Sequence, residues 1–242
     1  MMKKLITEYL DLPDIRIAYS QHGSGPTLIL LHGNSGSKAT FRKHQTKLFP
    51  DYHTIAIDSR GHGQSQSEDK TLSIEQISED IIQFCHAKGI TQAYVIGYSD
   101  GGNIALFLAK KAPQIFSRVI AISPNYLVSG TTEGSLRTIR NIIKIMSILN
   151  KVGFKMSKHL MCFDLMMRDI GLTEDALRSI QTKVKILYAE KDMIKEEHIL
   201  KLAALIPNTE VAKVMRCSHL SIINDHVAIT KMRGFLADPI SS

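Results

Sequence analysis

Cysteine is scarce in this chain. Three occur in 242 residues, Cys85, Cys162 and Cys217, odd in number, far apart and without a C-x-x-C pair. That spacing offers neither a disulfide framework nor a zinc cluster, and it suits a reducing cytoplasm. Long apolar runs are missing as well. None approaches the roughly 20 residues that a helix needs to cross a bilayer, so no membrane partner is expected. The start, Met1-Met2-Lys3-Lys4-Leu5-Ile6-Thr7-Glu8, is basic, but Glu8 and Asp11 interrupt what would have to be the apolar part of a signal peptide. It reads instead as an edge strand. Repeats and low-complexity stretches are absent from the sequence. A formal charge of +7 raises the question of nucleic acid. The cations are spread along the chain and no nucleic-acid-binding signature accompanies them, so they read as a solvated surface.

What is present is enough apolar material, 44% of residues, for one sizeable α/β core. Strand and helix patterns alternate, which predicts a mostly parallel sheet covered on both faces. Ile15–Tyr19 alternates like an exposed strand near one edge. Thr27–Leu31, His53–Asp58 and Val119–Ile122 are continuous apolar runs, as strands buried on both faces require. Ser73 opens a helix as N-cap, with Gln76 completing a capping box and Gly89 stopping the helix. From Asn125 to Gln181 strand signals vanish and helical stretches rich in Ile, Leu and Met replace them: Leu136–Val152, Met156–Ile170 and Glu174–Ile180. Alternation then resumes with a strand at Val184–Tyr188, a helix at Lys195–Leu205, a strand at Glu210–Met215 and a closing helix over Leu220–Leu236. The division predicted is a core of residues 1–124 and 182–242, with residues 125–181 inserted as a helical unit. Its methionines (Met146, Met156, Met161, Met166 and Met167) suit either an adaptable apolar pocket or ordinary helix packing. Arg137, Arg140, Lys144, Lys151 and Lys155 read as a wet helix face.

The densest chemical signal is Gly97-Tyr98-Ser99-Asp100-Gly101, entered by the apolar run Tyr94-Val95-Ile96 and left by the helical pattern from Ile104. Strand, sharp turn and helix in that order hold the serine at the apex, its hydroxyl clear of the sheet. A serine hydroxyl needs a base, and the base needs a third group to orient it. Two residues follow later strands in the order this turn anticipates: Asp192 after Lys185–Tyr188, and His219 after Glu210–Met215. Asp192 could also cap the helix near Lys195, and Glu190 is a rival acid closer to its strand. Donors for an oxyanion are expected from the backbone N–H of Asp100 and of Asn34, the latter in His32-Gly33-Asn34 after a buried strand. The Asp100 side chain either complements the helix N-terminus or faces the pocket.

Together, Leu31–Asn34, Asp58-Ser59-Arg60-Gly61-His62-Gly63-Gln64-Ser65, the Gly97–Gly102 turn, Asp192 and His219 resemble the α/β-hydrolase superfamily across nearly the whole chain. That resemblance implies an eight-stranded, mostly parallel sheet with helices on both faces and a helical lid after the sixth strand. It gives the Asp58–Ser65 turn a structural role and implies no metal or organic cofactor. The expected function is a serine hydrolase acting on a small carboxylic ester, with Ser99 as nucleophile, His219 as base and Asp192 as the acid. The same machinery serves lactones, thioesters, amides, carbon–carbon bonds beside ketones and perhydrolysis, and a weakly active ligand-binding member of the fold is the competing class.

Overall fold

A computed structural model describes residues 5–237, so the first four residues of the expected N-terminal edge strand lie outside the described part. Eight strands form one sheet: β1 (Glu8–Leu12), β2 (Ile15–His22), β3 (Thr27–Leu31), β4 (His53–Ile57), β5 (Ala93–Tyr98), β6 (Phe116–Ile122), β7 (Lys183–Lys191) and β8 (Thr209–Ser218). Their order across the sheet is β1-β2-β4-β3-β5-β6-β7-β8. The β1–β2 and β2–β4 pairings are antiparallel and all later ones parallel. The expected α/β architecture, eight strands and mostly parallel, is therefore present. Because β3 lies between β4 and β5, the winding direction reverses beside β3, and the carboxyl ends there flank a crevice.

The apolar runs explain the layering. Side chains alternate across a strand, so Ile29, Leu31 and Val95 face one apolar layer while Leu28, Leu30 and Ile96 face the other. Into the first layer pack α1 (Ile74–Ala87), α2 (Asp100–Lys111) and α6 (Glu196–Leu205); α7 (His226–Ala237) closes the second. β2 is more enclosed than its alternation suggests, for Tyr19 meets Phe84 of α1 edge-on at 5.0 Å and the Ala18 N–H donates to the Ser65 hydroxyl at 2.9 Å.

Several boundaries differ from the sequence reading for local reasons. Ser73 accepts the Gln76 N–H at 3.1 Å, but among the described residues no reciprocal bond from the Gln76 side chain completes a capping box. The closing helix starts at His226 rather than Leu220, because Asp225 caps it by accepting from the N–H of Val227 (2.8 Å) and Ala228 (3.1 Å). A 3-10 turn, Ile222–Asn224, precedes it. Between β6 and β7 the chain forms α3 (Glu133–Lys151), α4 (Ser157–Leu165) and α5 (Glu174–Arg178), the helical content expected there.

The Asp58–Ser65 turn is a buried polar knot. Asp58 accepts from the Lys38 N–H (2.6 Å), Lys38 Nζ (2.7 Å) and the Gln64 N–H (2.8 Å). Gly63 stands at φ +50° with the Asp58 carboxylate where a Cβ would be. Arg60 grips Asp80 through two hydrogen bonds of 2.7 and 2.8 Å and also pairs with Asp69. Alongside it, His32 donates from Nδ1 to the Gly33 carbonyl (2.8 Å), so its Nε2 accepts the Ser59 N–H at 3.1 Å.

Such rings must stay neutral. Burial drives His32, His44 and His198 down to about 4 from an ordinary value near 6.5. The unfolded chain thus takes up protons between pH 6.5 and 4 that the folded chain refuses, so stability falls as pH falls through that window. Urea unfolding should show a lower midpoint at pH 5 than at pH 7.5, by about 1–2 kcal/mol per histidine. His198→Gln should remove one share of that drop.

Candidate active site

The strand-to-helix turn after β5 is built by what its neighbours lack. A Cβ on Gly97 would fall against the Gly101 carbonyl, and one on Gly101 would strike the Leu31 and His32 carbonyls. A Cβ on Gly33 would stand 3.0 Å from the Ser99 Cβ, so the loop after β3 lies directly against the turn. Ser99 itself sits at φ 54°, ψ −118°, a conformation that costs a non-glycine residue about 1–3 kcal/mol. It occupies the N-cap position of α2 yet makes no side-chain cap bond. Its hydroxyl is left for other partners.

Asp192 directly follows β7 and His219 directly follows β8. A register shift between Ala189 and Lys191 brings Lys191 opposite Ser218, which sets the two residues side by side. His219 Nδ1 stands 2.6 Å from Asp192 Oδ1, and Nε2 stands 3.2 Å from Ser99 Oγ. The Asp192 and His219 side chains are only 3% and 8% exposed. Burial alone would raise the Asp192 pKa. The His219 ring, the Ser123 hydroxyl and the Ala189 N–H outweigh it and hold the carboxyl below the usual range. Glu190, the rival acid, is exposed and accepts the Arg216 N–H at 2.8 Å.

Two residues beside this chain of bonds were assigned no role from the sequence. Ser123, at the end of β6 with φ 51°, donates to Asp192 Oδ2 at 2.6 Å. Tyr98 donates its hydroxyl to the His219 carbonyl at 3.0 Å and lies beside the ring, with centroids 5.3 Å apart. Burial, with Asp192 nearby, pushes that phenol up to about 12, so it remains a donor at any physiological pH. Ser123 could have been suspected only from its place at the end of a strand neighbouring β7.

The backbone N–H groups of Asn34 and Asp100 have no acceptor among the described residues. Their side chains bond each other, Asn34 Nδ2 to Asp100 Oδ2 at 2.9 Å, and Asn34 Nδ2 also reaches the Cys162 carbonyl of α4 at 2.6 Å. Burial raises the Asp100 pKa, and the Asn34 bond works against that rise. A cavity of about 600 Å³ opens over Ser99 and His219. Its walls include Asn34 and Tyr98 from the sheet side and Thr138, Ile139, Ile142, Phe163 and Met166 from the helices between β6 and β7.

With this geometry in view, the relatives fall into line. Residues 26–146, half of the chain, match the family model described as the alpha/beta hydrolase fold, and the chain belongs to that family. It is 30% identical over 149 residues to the dihydrolipoyllysine-residue acetyltransferase component of the acetoin cleaving system of Cupriavidus necator, covering 57% of this chain and 40% of that protein. It is 28% identical over 117 residues to 2-(acetamidomethylene)succinate hydrolase of Mesorhizobium japonicum, covering 48% of this chain and 42% of the other. The matched parts thus span about two-fifths of those curated relatives. Among solved structures, the carboxylesterase CesB of Bacillus subtilis shares the fold at a TM-score of 0.79 and 18% identity, over 98% of this chain and 93% of that one.

Asn34→Ala should cost about 1–3 kcal/mol in urea unfolding, because it strips the half-buried Asp100 carboxylate of its donor. Asn34→Asp should cost more at pH 7.5, since two carboxylates would then face each other. Acidification should return part of that excess as one of them takes up a proton. Equal losses in both variants at both pH values would contradict this account.

Proposed function

We propose that this chain is a serine hydrolase that cleaves a small carboxylic ester, with Ser99 as nucleophile, His219 as base and Asp192 as the orienting acid. The observation that carries the reading is the continuous run of hydrogen bonds from Asp192 through His219 to Ser99, at 2.6 and 3.2 Å, on the wall of a partly apolar cavity.

In this mechanism His219 Nε2 takes the proton of Ser99 Oγ as the oxygen attacks the acyl carbon. The carbonyl π-electrons move to oxygen, and the N–H groups of Asn34 and Asp100 receive the oxyanion, each worth about 3–4 kcal/mol of barrier. The tetrahedral intermediate collapses, His219 returns the proton to the departing alkoxide, and an alcohol leaves. Water then attacks the acyl-enzyme, again giving its proton to His219, and the acid is released with Ser99 restored. Asp192 stabilises the imidazolium and fixes the Nδ1–H tautomer. Ser123 steadies the second oxygen of that carboxylate.

Met166, Phe163, Ile139 and Ile142 line this cavity with apolar surface, which favours a neutral, apolar substrate group. Residues 125–181 serve in this reading as the lid over the core of residues 1–124 and 182–242.

Hydrolysis of p-nitrophenyl esters of increasing acyl length is the direct assay. Ser99→Ala and His219→Ala should each lower kcat by about 10⁴-fold or more, and Asp192→Asn by a similar factor. Ser123→Ala should lower kcat about tenfold while leaving KM near its starting value, as expected for one lost bond to a charged group. Undiminished turnover by Ser99→Ala would end the proposal.

A further inference from the structure

The net charge of this protein is concentrated in one place. Of 30 Lys and Arg and 23 Asp and Glu, the stretch 134–163 holds six cations and no acid, leaving 24 against 23 elsewhere. A tally of cations alone reads as an even spread; counting acids as well exposes the imbalance. The six are Arg137, Arg140, Lys144, Lys151, Lys155 and Lys158, and none has a carboxylate partner among the described residues. The stretch comprises most of α3, the turn after it and most of α4.

Folding sorts this segment further. Leu136 and Ile139 bury one side of α3, and the opposite side is open. Positions on a helix advance by about 100° per residue, so Arg137, Arg140, Lys144 and Lys151 fall on one flank of the open side. Ile145, Ile148 and Val152 fall on the adjoining flank, 58%, 55% and 66% exposed. Phe154, in the turn beyond, is 57% exposed as well. Large apolar side chains left this open, in a contiguous set bordered by unpaired cations, mark an interaction surface.

We infer that this face of α3 and the following turn docks peripherally on an anionic lipid surface. The apolar flank enters the headgroup boundary and the cations meet lipid phosphates. Two features select that occupant. Glu133 is the one acid on this side of α3 and stands at its first turn, so the face from Arg140 to Lys151 carries cations only and a second copy of it would meet like charge. It pairs cations with mainly aliphatic side chains (Ile145, Ile148 and Val152), whereas a duplex backbone is met by cations alone and a single strand by stacked aromatics. The other side of α3 lends Thr138, Ile139 and Ile142 to the cavity over Ser99, so a docked molecule would hold that opening close to the lipid. The inference stands on the patch and not on the ester chemistry.

Flotation of the full chain with vesicles tests it. At low salt the protein should bind vesicles of phosphatidylcholine with about 30% phosphatidylglycerol at least tenfold better than phosphatidylcholine alone, and salt of about 0.5 M should reverse this. Lys144→Glu/Lys151→Glu should weaken binding about 25-fold or more, and Val152→Ser/Phe154→Ser about tenfold. Lys47→Glu/Lys110→Glu makes the same change of charge at the opposite end of the sheet and should stay within about twofold of the parent. Circular dichroism checks that each variant is folded. Several outcomes would overturn the inference: no preference for the anionic vesicles, equal loss in the Lys47/Lys110 control, or binding indifferent to Val152 and Phe154. Tighter binding to a duplex oligonucleotide with that same indifference would replace it with a nucleic-acid surface. Self-association in sedimentation that Val152→Ser/Phe154→Ser abolishes, without vesicle binding, would replace it with a contact between copies.

Discussion

The rest of the molecule is arranged around one close approach. Where β5 turns into α2, the backbone of the turn meets the carbonyls of Leu31 and His32 at a separation that leaves no room for a Cβ on Gly101. The turn must be that sharp for Ser99 to stand at its apex, and the strained φ of that residue is the cost. The strain persists because both sides are fixed: the Ser99 N–H is bonded to the Ile122 carbonyl at 2.8 Å, and its own carbonyl accepts the Asn103 N–H at 3.1 Å. The loop after β3 is then pressed against the turn, which is how the Asn34 and Asp100 side chains come to bond. A side chain at Gly33 or Gly101 would push these parts away from each other.

Around that point, burial turns polar residues into fixed geometry. A neutral His32 joins the loop after β3 to the Asp58–Ser65 turn, and Asp58, Lys38, Arg60 and Asp80 settle their charges in pairs. Buried pairs of this kind contribute little net stability but are costly to break, so they hold loops in one arrangement. Asp192 shows the same principle near the cavity. Its carboxylate is surrounded by donors from the end of β6, from β7 and from the loop after β8, so the position of the His219 ring depends on three separate strands. The contact of Asn34 with the Cys162 carbonyl extends this dependence to α4.

Legibility in the sequence followed the range of the interaction. Thr27–Leu31 and Val119–Ile122 could be read as buried strands because their apolar runs are local signals, and Ser73 and Gly89 marked the ends of α1 for the same reason. Leu220 was a poor guide to the last helix, since the cap at Asp225 is decided by whether the chain can first turn through Ile222–Asn224. Ser99, Asp192 and His219 could be singled out because each follows a strand. The roles of Ser123 and Tyr98 could not, although Tyr98 lies within the turn motif, for nothing near them in sequence indicates that Asp192 and the His219 carbonyl will be their partners.

The alternation of strand and helix, the α/β class, the turn that presents Ser99 and the break in pattern after Ile122 are all written in the spacing of neighbouring residues. Which carbonyls the glycines must clear and which hydroxyl faces Asp192 were settled by packing between distant segments. The same is true of which side of α3 is covered and which is left open. Those outcomes depend on distances between segments far apart in the chain, and they exist only once the sheet has set its strand order and the buried layers have closed on it.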